Sequence, residues 1–129
     1  MLHTEVARAL KYIDVIIAKL DAGDEKTFSE INRPIQEIKF KDIVEGIKSL
    51  RSVVIQTLFV KGKHSNFIKD SVSNWLEVVK GIHPNFVQVY SLDRPSWGEC
   101  ELVPQEELNK IVKKLRNFGV DAQSYGRRK

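Results

Sequence analysis

Apolar residues recur along this chain with two alternating periods. Val6, Leu10 and Ile13 have helical spacing behind Thr4, which predicts a helix from Thr4 to about Tyr12. Val15 to Leu20 is a β-branched apolar run closed by Asp21-Ala22-Gly23, the pattern of a strand. Asp24 is placed to cap a short helix through Thr27, Phe28 and Ile31, stopped by Pro34. Phe40, Ile43, Val44, Ile47 and Leu50 return to helical spacing. Val53 to Val60 reads as a second strand, ended by Lys61-Gly62. Ser65 is the expected cap of a long helix whose apolar side carries Ile68, Val72, Trp75, Leu76 and Val79. After the turn Gly81 to Pro84 comes a third strand, Phe86 to Leu92, and a loop with Arg94, Pro95, Trp97 and Pro104. Leu108, Ile111, Val112 and Leu115 predict the last helix, with Gly119 as its stop, and Val120 to Tyr125 a further short strand.

Strands alternating with helices imply right-handed crossovers and a parallel sheet, so the fold class is α/β. The two sides of each strand differ. Ile16, Ala18, Leu20, Val53, Ile55, Thr57, Phe59, Val87, Val89 and Ser91 are nearly all apolar or small, as a surface under helices should be. The opposite set mixes Val15, Ile17, Val54, Leu58, Val60, Phe86 and Leu92 with Lys19, Asp21, Gln56, Gln88 and Tyr90. Helices on both faces would not require that mixture. A barrel lumen would, because ligand groups gather there at the strand carboxyl ends. The expectation is a partial (β/α) barrel of three to four parallel strands in one domain, 1–129. Its second face would stand open unless a second copy or another polypeptide covers it.

Composition narrows the chemistry. The chain has 129 residues and one cysteine, Cys100, so an internal disulfide is excluded and a cytoplasmic setting is expected. No apolar run reaches the roughly 20 residues that span a bilayer, and Met1-Leu2-His3-Thr4-Glu5 has no leader pattern, so no membrane partner is expected. The net charge of +4 includes Arg127, Arg128 and Lys129 at the very end. Without interleaved aromatics or a binding motif, that tail argues for solvation rather than nucleic acid. His3, His64 and His83 lack metal-ligand spacing, and no metal ligand is assigned. No Ser/His/Asp arrangement, Walker loop or dinucleotide fingerprint is present.

Three ordered segments resemble a known family. Leu20-Asp21-Ala22-Gly23-Asp24-Glu25-Lys26-Thr27-Phe28, followed by Ile31-Asn32-Arg33-Pro34, resembles the fourth strand and loop of radical S-adenosylmethionine (SAM) enzymes. Phe59-Val60-Lys61-Gly62 resembles the end of their fifth strand, and Val87 to Pro95 their sixth. The likeness runs from about Val6 to Tyr125. It is nearest the iron–sulfur oxidoreductases of the wybutosine-synthesis and pyruvate formate-lyase-activating types. It implies a six-stranded partial barrel of which this chain supplies the carboxyl-terminal half.

The resemblance also implies cofactors that the chain cannot hold alone. Members bind a 4Fe–4S cluster through a CxxxCxxC loop after the first strand, and a Gly-Gly-Glu stretch after the second receives the cofactor's amino group. Cys100 is a single thiolate where such a cluster needs three or four protein ligands. The expected partner is therefore a cluster-bearing polypeptide across the open face, or a second copy. No catalytic residue is assigned to this chain. By resemblance, Lys19 and Gln56 occupy cofactor-binding positions, Lys19 facing the SAM carboxylate, while Gln88, Tyr90 and Arg94 line the substrate side. The residues allow plainer roles too: Lys19 as a rim lysine with its stem packed, Asp21 ordering its loop through backbone N–H groups, Gln56 and Gln88 bonding each other across strands. The alternative function is a non-catalytic homodimeric module for a small anionic ligand near Lys19.

Overall fold

The computed structural model describes residues 16–32, 39–50, 52–63, 65–92, 96–97 and 100–125. Its elements are β1 (Ile16–Lys19), α1 (Glu25–Asn32), α2 (Phe40–Lys48), β2 (Val53–Leu58), β3 (Val60–Gly62), α3 (Lys69–Ile82), β4 (Phe86–Tyr90), β5 (Ser96–Trp97), β6 (Cys100–Leu102), α4 (Gln105–Asn117) and β7 (Ala122–Tyr125). The helix expected over Thr4 to Tyr12 lies outside the described residues, as do Pro34, His3, His64, Arg94 and the basic tail.

The main sheet has the order β1-β2-β4-β7, all parallel, with a helix in each connection. Strand order follows chain order without a reversal, which is the progression of a barrel rather than of a doubly wound sheet. The inner face is the one expected for β2 and β4, where Val53, Ile55, Thr57, Val87 and Val89 are buried, and Ala122 of β7 joins them. They form one core with Phe28, Phe40, Val44 and Ile47 from α1 and α2, Trp75 and Val79 from α3, and Leu108, Ile111 and Leu115 from α4. Burial of this apolar set is the dominant favourable term holding helices to sheet.

Helix ends follow local chemistry. Asp24 Oδ1 accepts from Thr27 N–H at 2.7 Å and caps α1 as its sequence position implies. Glu25 Oε2 accepts from Phe40 N–H at 2.6 Å, tying the start of α2 to α1, and the Phe28 and Phe40 rings meet at 5.8 Å. Gly119, at φ +83, ends α4 in the left-handed region. His83 does the same for α3 at φ 58 without glycine's freedom.

Three expectations need correction. Ser65 does not cap α3, which starts at Lys69 after Ile68 with no side-chain cap. Ser65 Oγ instead donates to Val60 O and accepts from Phe67 N–H, ordering the loop ahead of the helix. Ile68, assigned to the apolar side, lies before the first turn and is 58% exposed. The single strand expected over Val53 to Val60 breaks at Phe59. Val60 to Gly62 leaves the parallel sheet and pairs antiparallel with Cys100 to Leu102, which pairs in turn with Ser96 and Trp97. The expected loop thus contains two strands of a second, three-stranded sheet β3-β6-β5. Two- and three-residue strands are too short to carry a readable alternation.

Candidate functional site

The outward side chains of the main sheet form rows across the strands. The parallel register sets Lys19 beside Gln56, Gln56 beside Gln88, and Gln88 beside Gln123. One level toward the amino ends lie Ile17, Val54 and Phe86; one level toward the carboxyl ends lie Leu58, Tyr90 and Tyr125. A polar row thus crosses all four strands between two rows rich in apolar and aromatic groups. Lys19, Gln56, Gln88 and Tyr90, four of the five residues assigned from the sequence, share this face; Arg94 lies outside the described residues.

The row is bonded internally. Gln56 Nε2 donates to Gln88 Oε1 at 2.7 Å, so the plainer cross-strand reading of this pair is realised. Gln88 Nε2 donates to the Tyr125 hydroxyl at 3.4 Å. Lys19 is exposed at one end of the row, and Tyr125 is 42% exposed near the other. Ile17, two residues before Lys19 on the same face of β1, is 58% exposed. An exposed ammonium with one amide, Gln56, beside it suits an anionic group such as a carboxylate.

A second set of bonds sets the rim at the strand carboxyl ends. Asn66, 2% exposed, accepts at Oδ1 from Val60 N–H (2.8 Å) and donates through Nδ2 to Asp21 O (2.8 Å) and Leu58 O (2.7 Å). One amide therefore satisfies three backbone groups where β2 gives way to β3, a place where the ladder cannot. Thr57 Oγ1 donates to Leu20 O at 2.7 Å, and Trp75 Nε1 reaches both that oxygen (3.0 Å) and Thr57 Oγ1 (3.1 Å). Ser91 Oγ donates to Phe59 O and accepts from Val103 N–H, joining β4 to the segment before α4. These groups hold the loop that carries Asp21 and Gly23. Asn66 was not legible as a site residue, because a lone asparagine after a glycine-ended strand reads as an ordinary loop residue.

Asp21, two residues past β1, is the loop-ordering residue expected: its Oδ1 accepts from Leu58 N–H at 2.9 Å. Burial pushes its carboxyl above the usual 3.8, against the pull of the Leu58 N–H and of Lys19. Asp24 moves the other way. Slight burial raises it, but hydrogen bonds from Asn74 and Thr27 outweigh that and leave it lowered. A carboxyl raised on folding favours the protonated fold. That benefit is complete below about pH 4, the unfolded value, and is lost as pH rises through the raised native value. Asp21→Asn keeps an acceptor for Leu58 N–H and removes the charge. It is expected to be more stable than the parent at pH 7 and no more stable at pH 3. Urea melts at the two pH values check this; equal differences at both would refute it.

Comparison with known proteins places the architecture. No family model matches the chain. Two solved structures overlay nearly all of it. A radical SAM methyltransferase from Sphaerobacter thermophilus gives a TM-score of 0.68 at 17% identity, over 97% of this chain and 38% of that one. A domain of pyruvate-formate lyase-activating enzyme from Bacteroides vulgatus gives 0.71 at 13% identity, over 96% of this chain and 75% of that one. The fold is radical-SAM-like. At these identities the likeness concerns the fold and not the activity.

Among curated sequences, a UPF0026 protein of Helicobacter pylori strain J99 is 30% identical over 114 residues, 82% of this chain and 35% of its own length. A protein named GTPase Obg from Brachyspira hyodysenteriae is 29% identical over 113 residues, 84% of this chain and 17% of its own length. The chain thus spans about a third or less of the curated relatives it matches.

The cofactors of radical SAM proteins meet this chain unequally. The cluster does not fit it: Cys100, in β6, is the only thiol. Among the described residues no three of His, Cys, Asp and Glu are grouped to hold a metal. The anionic end of SAM fits better, because Lys19 stands exposed at the β1 carboxyl end with Gln56 beside it. No helix among the described residues is long and apolar enough to cross a membrane.

Proposed function

We propose that this chain forms the carboxyl-terminal part of a radical SAM barrel. In that reading it takes the anionic end of the cofactor at Lys19 and Gln56 and presents Gln88 and Tyr90 toward substrate. A cluster-bearing amino-terminal part, on another polypeptide or on the same one, supplies the iron and the radical chemistry. The observation that carries the reading is the polar row Lys19–Gln56–Gln88–Gln123 on the outward face of the parallel sheet. Polar groups alone would suit a solvated face, but this row runs between Ile17, Val54 and Phe86 on one side and Leu58 on the other, apolar groups that a lumen wall covers and a solvated face does not. Among the described residues no strand pairs with the outer edge of β1, which supports it too, since such an edge can extend the sheet by a further strand. Nucleotide hydrolysis is not carried over from the Obg-named relative, because this chain has no phosphate-cradling glycine loop.

An anaerobic pull-down of the chain from its source cells, assayed for iron and co-purifying proteins, tests the proposal. Iron with a CxxxCxxC-bearing polypeptide is the expected result. Self-association without iron would remove it and leave the homodimeric anion-binding module. In the iron-containing complex, Lys19→Ala is expected to weaken SAM binding about 10- to 100-fold, the usual worth of a charge-assisted contact. Unchanged SAM affinity would take Lys19 out of the site.

A further inference from the structure

Charge changes along α4. Its first turn carries Glu106 and Glu107; after them come Lys110, Lys113, Lys114 and Arg116 with no acid between. All four cations are exposed. Lys113 and Lys114 follow Lys110 by three and four positions, so each shares its side of the helix, about 5–6 Å away. Attraction to the helix dipole accounts for Lys114 and Arg116, in the last turn. That field fades within the turn and gives no reason for Lys110 and Lys113, which precede it.

The fold widens this strip across the amino ends of the strands. Phe118, just past α4, is 40% exposed, and Lys80 Nζ from the last turn of α3 lies 5.0 Å from its ring centroid. Lys48, in the last turn of α2, lies against Gly81, where its Nζ would be 3.9 Å from an added Cβ. Glu45, Glu77 and Asp121 are exposed on the same stretches of chain. They neutralise none of these cations by contact: among the described residues Lys48, Lys80, Lys110, Lys113, Lys114 and Arg116 are in no ion pair.

Unpaired cations gathered around one aromatic ring fit a polyanion. A lipid surface is disfavoured, because an interfacial helix needs an apolar side to bury, and Leu108, Ile111, Val112 and Leu115 of α4 are already in the core. An acidic protein partner is disfavoured too. Such interfaces centre on clustered apolar anchors, and the other exposed large apolar groups, Ile17, Ile68 and Tyr125, are on other elements. A single nucleic-acid strand needs only a track of cations for its phosphates and a ring for a base.

We infer that the carboxyl-terminal half of α4, with Lys80 and Phe118, is a binding surface for single-stranded nucleic acid. Lys80, Lys110, Lys113 and Lys114 meet phosphates, and Phe118 meets a base. The surface lies at the strand amino ends, away from the rim set by Asp21 and Asn66, and the inference stands independently of the barrel proposal.

The test is fluorescence anisotropy of a labelled oligouridylate about 12 nucleotides long, titrated with the full chain at several salt concentrations. Four phosphate contacts give a slope of log K against log salt of about −3. Lys110→Gln with Lys113→Gln should weaken binding about tenfold and bring the slope to about −1.4. Phe118→Ala should weaken it about tenfold and leave the slope in place. These positions are exposed, and circular dichroism verifies that the variants fold. The tail variant Arg127→Ser with Arg128→Ser and Lys129→Ser should keep both affinity and slope. No binding at low salt, an unchanged slope in the double lysine variant, or loss of binding in the tail variant would overturn the inference. Sedimentation with phosphatidylserine vesicles in place of oligonucleotide binding would overturn it in favour of a lipid surface.

Discussion

Gly23→Ala is expected to destabilise the fold by about 3–5 kcal/mol, near the upper end for a point substitution. A Cβ at this position would sit 2.0 Å from Trp75 N, 2.3 Å from Trp75 Cα and 2.4 Å from the Asn74 carbonyl carbon. All three are backbone atoms in the middle of α3, so no side-chain rotation relieves the overlap. Either the β1–α1 loop lifts off α3 or the helix moves. Both responses disturb the bonds from Trp75 and Asn66 to Leu20 O and Asp21 O, which fix the rim of the candidate site. The glycine is needed here for close approach between loop and helix. Thermal denaturation followed by far-UV circular dichroism should show a midpoint lower by about 10–20 °C, given the slope for a domain of this size. A fall of only a few degrees would mean that the loop and α3 do not meet as closely as described.

Trp75→Ala is expected to cost a similar amount, about 3–5 kcal/mol, by a different route. The indole is 1% exposed and meets Phe59 edge-on at 5.0 Å. Its removal leaves a cavity among α3, β2 and the loop after β1, and it takes a donor from Leu20 O and Thr57 Oγ1. Trp75→Phe separates the two contributions. It keeps most of the ring packing and loses the N–H, so about 1–2 kcal/mol is expected. Denaturant unfolding of the pair checks this. Equal losses in both variants would assign the effect to the hydrogen bonds and not to packing.

Much of the sheet was legible because its signal is local. Val53, Ile55 and Thr57 alternate with Val54, Gln56 and Leu58, and that alternation alone separated a helix-covered face from a mixed one. Trp75, Leu76 and Val79 announced the buried side of α3, and Gly119 announced the end of α4. Errors fell where a group outside the expected element claims the residue. Ser65 has the chemistry of a cap, but Val60 O and Phe67 N–H claim its hydroxyl. Val60 continues an apolar run, yet its N–H goes to Asn66 and the strand leaves the sheet to meet Leu102.

The candidate site divides the same way. Lys19, Gln56, Gln88 and Tyr90 are marked in the sequence as polar intruders on one side of otherwise apolar strands. That Lys19, Gln56 and Gln88 align into one row, with Tyr90 one level nearer the carboxyl ends, depends on the register between strands, which no single strand encodes. Tyr125 joins this face only because β7 pairs with β4, and the four residues of that strand are too few to show a face. Asn66 and Gly23 depend still more on the assembled fold, since one joins the ends of β1, β2 and β3 and the other touches the middle of α3.

By itself the sequence determined the alternation of strands and helices, the buried side of the sheet and the inability to ligate a cluster with one cysteine. Each depends on residue type and spacing within a single element or on a plain count. Only the tertiary structure decided the strand order, the second small sheet, the amide that clamps the rim and the bonded row from Gln56 to Tyr125. Those are relations between separate elements, most of them tens of positions apart, and backbone pairing and packing choose them together.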